Sequence, residues 1–172
     1  SPNSIYPSIK DLAFIDGKFY FSGFVSGQGD EFWGYDPSTN TLIEFPELFP
    51  GPAGGSPFSL TELDGKLYFN ARTPAEGREL RVFDPSTNMI ELVADIYDGS
   101  NANPGDLYVL DGVLYFTASM DQSERLLFSY DPDSDELNDY GTVAKDGAPN
   151  FLSTLFATDG KIFLTVIFTD YG

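Results

Sequence analysis

The dipeptide Asp-Gly stands at Asp16-Gly17, Asp64-Gly65, Asp111-Gly112 and Asp159-Gly160, recurring after 48, 47 and 48 residues. Each copy runs into an apolar, aromatic triplet: Phe19-Tyr20-Phe21, Leu67-Tyr68-Phe69, Leu114-Tyr115-Phe116 and Ile162-Phe163-Leu164. A second landmark keeps the same period: Tyr35-Asp36-Pro37-Ser38-Thr39-Asn40, Phe83-Asp84-Pro85-Ser86-Thr87-Asn88 and Tyr130-Asp131-Pro132-Asp133-Ser134-Asp135. Self-similarity at such a spacing marks a repeat architecture, in which one supersecondary unit stacks on its neighbours. The chain therefore builds three full units and the beginning of a fourth, whose Asp-Pro landmark would fall beyond Gly172.

Local chemistry specifies four strands per unit. Asp-Gly suits a type I′ hairpin turn, where both central residues need positive φ. Before the turn, Leu12, Leu60, Leu107 and Leu155 share a face with Phe14, Val109 and Ala157 by the two-residue period, a face that Glu62 interrupts in the second unit. The strand after the turn ends in Gly23, Ala71, Ala118 or Val166, small side chains suited to close approach of neighbouring sheets. A third strand leads into Asp-Pro, whose Pro presets φ and whose Asp can accept from its own downstream backbone. A fourth begins at Leu42, Ile90 and Leu137. Four-stranded units of this length match propeller blades. The fold expected is all-β: a β-propeller-like array of four-stranded antiparallel blades, three full blades plus a half blade, in one repeat domain. Its units span about residues 7–55, 56–103, 104–150 and 151–172. Pro46, Pro50, Pro52 and Pro57 around Gly51, Gly54 and Gly55 read as a rigid connection between the first two units.

Composition narrows the chemistry. With 27 acidic against 9 basic residues the formal charge is -18, which disfavours nucleic acid and anionic membranes as partners. There is no Cys and no His, so thiolate chemistry, disulfides and the commonest general base are all excluded. The most apolar run, Ile162 to Phe168, is too short for a membrane helix, so no membrane insertion is expected. No Asn has Ser or Thr two places on, so N-glycosylation is not expected. The opening Ser1-Pro2-Asn3 carries no signal-like segment and reads as a mature or trimmed part of something longer.

The run Gly77-Arg78-Glu79-Leu80-Arg81-Val82-Phe83-Asp84-Pro85-Ser86-Thr87, then Leu92-Val93-Ala94-Asp95-Ile96-Tyr97-Asp98-Gly99-Ser100, Asn103-Pro104, and Asp111-Gly112-Val113-Leu114-Tyr115-Phe116-Thr117-Ala118 resembles the bacterial ELWxxDGT repeat. That family reads roughly G-x-E-L-W-x-x-D-G-T, V-K-D-I-x-P-G-S and N-G-x-L-Y-F-x-A. Here the Trp survives only as Trp33, Asp-Gly-Thr has become Asp-Pro-Ser-Thr, and Asp121-Gln122-Ser123-Glu124 replaces the expected Gly. The resemblance implies a secreted or surface-exposed bacterial repeat protein with a structural or binding role and no catalytic residues to carry over.

Two candidate sites follow from the residues. Asp131, Asp133 and Asp135 alternate as carboxylates do in calcium loops, although the Gly and the closing Glu of an EF-hand are missing, and a plain turn is the competing reading. Ile162, Leu164, Val166 and Phe168 lie on an apolar strand with no third strand after it, an edge prone to pair with another chain. The function expected is a non-enzymatic extracellular or cell-surface protein with a structural or adhesive role, assembling through that edge with copies of itself. The alternative is a glycan- or calcium-dependent binding module, in which Tyr6, Tyr97, Tyr140 or Tyr171 could stack on sugars; a carboxylate hydrolase ranks last. Asp16, Asp64, Asp111 and Asp159 could line a channel but are explained more simply as turn residues. Glu31, Glu79 and Glu124 recur with the repeat, which points to a shared structural task.

Overall fold

A computed structural model describes residues 5–6, 9–120, 125–141 and 150–168, and among them every regular element is a strand. The first unit holds β1 (Ile5–Tyr6), β2 (Leu12–Ile15), β3 (Lys18–Val25), β4 (Gly29–Asp36) and β5 (Thr41–Glu44). The second holds β6 (Phe58–Leu63), β7 (Lys66–Thr73), β8 (Gly77–Asp84) and β9 (Met89–Ala94). The third holds β10 (Gly105–Leu110), β11 (Val113–Ala118), β12 (Leu126–Asp131) and β13 (Glu136–Asp139). The fourth holds β14 (Asn150–Thr158) and β15 (Lys161–Phe168). Each full unit is a four-stranded antiparallel meander in chain order, with the short β1 added beside β3 in the first. The last sheet has two strands. β1 lies before residue 7, and β14 begins at Asn150.

The turns form for the reason their sequence implies. Asp16 and Gly17 have φ of 48° and 77°, Asp64 and Gly65 50° and 75°, Asp111 and Gly112 51° and 79°, and Asp159 and Gly160 51° and 68°. Two consecutive positive φ values are the type I′ signature, matched to the right-handed twist of the flanking strands. Asp64→Val, a β-branched residue forced to positive φ, is expected to cost about 1–2 kcal/mol, whereas Asp64→Asn is nearly neutral. Urea unfolding of both variants checks this. Asn40, Asn88 and Asp135 close the Asp-Pro turns, also at positive φ (56°, 57° and 55°).

The sheets stack face to face. Alternation sends Phe19, Phe21 and Tyr35 to one side of the first sheet, here termed the leading face, and Ile15, Tyr20 and Phe32 to the other, the trailing face. The trailing face of the first unit packs on the leading face of the second, where Leu67, Phe69 and Phe83 are fully buried. Tyr20 meets Phe83 at 4.8 Å and Phe32 stacks on Phe69 at 5.0 Å between ring centroids. The same contact repeats one unit on: Leu63, Tyr68 and Leu80 cover Leu114, Phe116 and Phe128, with Tyr68 and Tyr130 at 5.9 Å. Each such buried side chain contributes about 1.5–3 kcal/mol. The first strands β2, β6, β10 and β14 lie side by side in that order. Ala71 and Ala118, at the ends of the second strands, are fully buried where the sheets meet, as small residues there require.

The connections between units are held by buried glutamates, the structural task expected of that repeat position. The Glu31 carboxylate is 3% exposed. It accepts the N–H groups of Leu48 (2.8 Å), Phe49 (3.1 Å) and Gly55 (2.9 Å). Glu79, wholly buried, accepts from Ile96 (3.0 Å) and Ala102 (2.9 Å). Each carboxylate thus satisfies loop amides that would otherwise be stranded away from water. Glu124 lies outside the described residues.

Candidate functional site

The loop of alternating carboxylates is a working turn. Asp131 Oδ1 accepts the Asp133 N–H at 2.9 Å, its Oδ2 accepts the Ser134 hydroxyl at 2.9 Å, and Asp135 Oδ1 accepts the Tyr130 hydroxyl at 2.8 Å. Asp36 and Asp84 do the same for Ser38 and Ser86. The side-chain hydrogen bond from serine is the main reason that the Asp36, Asp84 and Asp131 carboxyls are held below the usual aspartate range. Asp133 and Asp135 are exposed, and among the described residues no three acidic side chains gather as a metal-holding group. Asp16, Asp64, Asp111 and Asp159 are exposed at their turns.

The fourth unit presents a different kind of site. In the three preceding sheets the second strand is hydrogen-bonded on both sides, whereas β15 pairs only with β14 among the described residues. Their register runs from Asn150↔Phe168 to Thr158↔Lys161, with an irregularity between Leu152 and Thr154. Every other N–H and C=O along the outer side of β15 therefore points away from the sheet. Ile162 and Leu164 sit opposite Ala157 and Leu155. Their half-buried side chains thus share the face of Leu155, which is fully buried where β14 lies against the third unit. For Val166 and Phe168 the backbone register is described, and their side chains lie outside the described residues. What faces outward instead is a pair that sequence reasoning missed: Phe156 and Phe163, each 42% exposed, opposite one another in register and stacked at 5.0 Å. A two-residue count back from Thr158 and on from Lys161 would have put them on the face opposite Leu155 and Leu164.

Between units lie clefts that mix aromatic and polar groups. One of about 320 Å3 is lined by Lys66, Tyr68, Glu91, Tyr130 and Asp135, among others. Burial, reinforced by Asp64, pushes the Tyr68 hydroxyl up to about 12, and burial also raises Tyr130, so both stay neutral donors at physiological pH. A second cleft, of about 350 Å3 between the first two units, includes Phe45, Glu47, Arg81 and Asn88. The Arg81 guanidinium there is anchored at 2.8 Å to both Thr73 Oγ1 and Glu76 Oε2. Of the tyrosines considered for stacking, Tyr140 is exposed and Tyr97 half-buried. Tyr171 and the Tyr6 side chain lie outside the described residues.

No family model and no curated protein matches the sequence. A solved structure does: the extracellular domain of a one-component system from B. thetaiotaomicron covers 96% of this chain with a TM-score of 0.58 at 15% sequence identity. The chain spans 21% of that protein's length. At such an identity the likeness concerns the fold, an all-β array of antiparallel sheets. Among the described residues no helix is long and apolar enough to cross a membrane.

Proposed function

We propose that this chain is a non-enzymatic extracellular or cell-surface repeat protein of bacterial type, an arc of β-propeller-like blades with a structural or adhesive role. It assembles with copies of itself through the open strand edge of its fourth unit into an oligomer or filament. The observation that carries this reading is the one-sided pairing of β15 among the described residues, an apolar strand whose counterparts β3, β7 and β11 are all enclosed. An exposed edge of that composition is a template for another chain unless something covers it. The side-by-side order of β2, β6, β10 and β14 supports the propeller-like reading, since inner strands of blades neighbour one another around an axis. The neighbour being an extracellular domain supports an address outside the cell.

The formal charge of -18 opposes self-association and sets its salt dependence. Light scattering is expected to show a mean mass that rises above one chain with concentration and more steeply with added salt, with rings or filaments visible by electron microscopy. A mass fixed at one chain over the whole range would refute assembly. A second reading, a glycan-binding module, is favoured by the cleft where Tyr68 and Tyr130 stand beside Lys66, Glu91 and Asp135. Tyr68 is buried there, so the half-buried Tyr130 would supply the stacking face, flanked by donors and acceptors that suit a sugar ring. A glycan array with no response would remove it, as a flat calcium titration would remove a calcium-dependent form.

A further inference from the structure

The first and fourth units carry complementary halves of a contact that the chain already makes between its own units. On the leading face of the first unit Ile9, Leu12, Phe14 and Leu42 are 49%, 52%, 60% and 37% exposed. Ile9, Leu12, Phe19, Tyr35 and Leu42 line an open apolar cleft of about 280 Å3. The repeat gives two of these residues counterparts inside the stack: Phe19 corresponds to Leu67 and Leu114, and Tyr35 to Phe83 and the half-buried Tyr130. Leu67, Phe83 and Leu114 are 0% exposed because the preceding unit's trailing face covers them. Phe21, Val25 and Trp33 form a small cluster at one end of the first leading face, and the rest stays open.

At the far end the trailing face of the fourth unit shows Phe156 and Phe163. Phe163 occupies the repeat position of Tyr20 and Tyr68, three residues past the turn glycine. Those two are the residues whose rings reach forward to Phe83 at 4.8 Å and Tyr130 at 5.9 Å. Tyr115, at the same position in the third unit, lies on the side that β14 covers. Among the described residues, Tyr35, half-buried beside Phe21, Val25 and Trp33, and the exposed Phe163 are the members of this aromatic series that no other unit faces.

Resting on the self-assembly reading above, we infer that the leading face of the first unit docks the trailing face of the fourth unit of a second copy of this chain, setting Phe163 of one copy against Tyr35 of the next. The occupant follows from continuity with the interfaces between units inside the chain, which join the same two kinds of face. Such a contact is heterologous, so it propagates into a ring or a filament according to its rotation.

Sedimentation velocity tests it with Leu12→Glu, which spoils the receiving face, and Phe163→Asp, which spoils the inserted one. Both side chains are about half exposed, so circular dichroism is expected to show native folding. Each variant alone is expected to lose association at least about 100-fold, the effect of burying an uncompensated charge. Their equimolar mixture is expected to give a species of two chains and nothing larger, because one intact face of each kind remains. Leu12→Lys must break association as well, although it lowers the negative charge; if it associates like wild type, charge repulsion rather than apolar docking governs, and the inference falls. If both variants assemble as wild type does, the contact lies elsewhere, such as the β15 edge, and the assembly reading survives without this inference. A wild-type chain that stays single at the highest attainable concentration and ionic strength overturns both.

Discussion

Gly77→Ala is expected to cost about 3–5 kcal/mol and to lower the thermal midpoint by about 10 °C, against about 1 kcal/mol for Gly65→Ala. Both glycines have positive φ, 80° and 75°, so both variants carry the strain of an L side chain in the left-handed region. They differ in what the new methyl meets. At Gly65 nothing lies within 4 Å, whereas a Cβ on Gly77 would stand 1.8 Å from the Ser100 carbonyl oxygen and 2.6 Å from its carbon. Backbone cannot rotate aside as a side chain can, so the loop through Ser100 must move off the hairpin. That loop is held by the Asn103 N–H to the Arg78 carbonyl (3.1 Å), by Arg78 N–H to Asn101 Oδ1 (2.9 Å), and by the Ala102 amide on Glu79. Moving it loosens the whole connection between the second and third units. Thermal unfolding of the two variants side by side decides the matter: midpoints within a degree or two of each other would mean that the loop yields at little cost.

How much of this was legible in the sequence depended on how local the cause was. The type I′ turns were readable because Asp-Gly carries the backbone preference in the dipeptide itself. The shared task of Glu31 and Glu79 was readable from their spacing, but not their partners, since the amides of Leu48 and Ile96 lie 17 residues downstream and apolar side chains give no sign that their N–H groups need an acceptor. Asp131, Asp133 and Asp135 alternate as in a calcium loop, and which of them the turn itself engages, Asp131 and Asp135, was not legible from their spacing. The strand 161–168 was readable as apolar, whereas its outward face required the pairing with β14. The open leading face was hidden for a deeper reason: Leu12 and Phe19 belong to the same residue classes as their buried counterparts, and burial is a property of the neighbour. Ser59 and Asp106, with φ of 60° and 51° at register irregularities in β6 and β10, were also missed. A bulge there re-aims the first strand without a glycine to announce it.

Lowering the pH from 8 to 5 is expected to stabilise the protein, and Glu79 supplies much of the effect. Burial is the dominant influence on its carboxyl and pushes it from the usual 4.5 up to about 7, against the opposing pull of the Ala102 and Ile96 amides. Burial raises Glu31 in the same way. A group whose proton is held more tightly in the folded state contributes stability that is complete below its unfolded value and is lost as pH climbs through its folded one. For Glu79 that window runs from about 4.5 to 7 and amounts to about 3 kcal/mol. Relief of repulsion in a chain of charge -18 acts in the same direction, but salt screens it, while the buried carboxyl stays unscreened. Glu79→Gln removes the titration and turns an amide group toward a backbone N–H, costing about 1–3 kcal/mol at pH 5, where the wild-type group is almost wholly protonated. Glu79→Ala strands both loop amides beside a cavity and costs about 3–5 kcal/mol. Asp36, Asp84 and Asp131 are held below the aspartate range, so their contribution is present above the unfolded value and disappears as pH falls through the folded one. Stability at high salt is therefore expected to rise as pH falls from 8 to about 4.5 and to turn down only below the ordinary aspartate value of 3.8. Urea unfolding of the wild type and Glu79→Gln at high salt, from pH 4 to 8, measures it. Parallel curves for the two proteins above pH 5 would assign the slope to other groups, whereas a flattened variant curve would place the proton on the carboxyl that holds the second unit to the third.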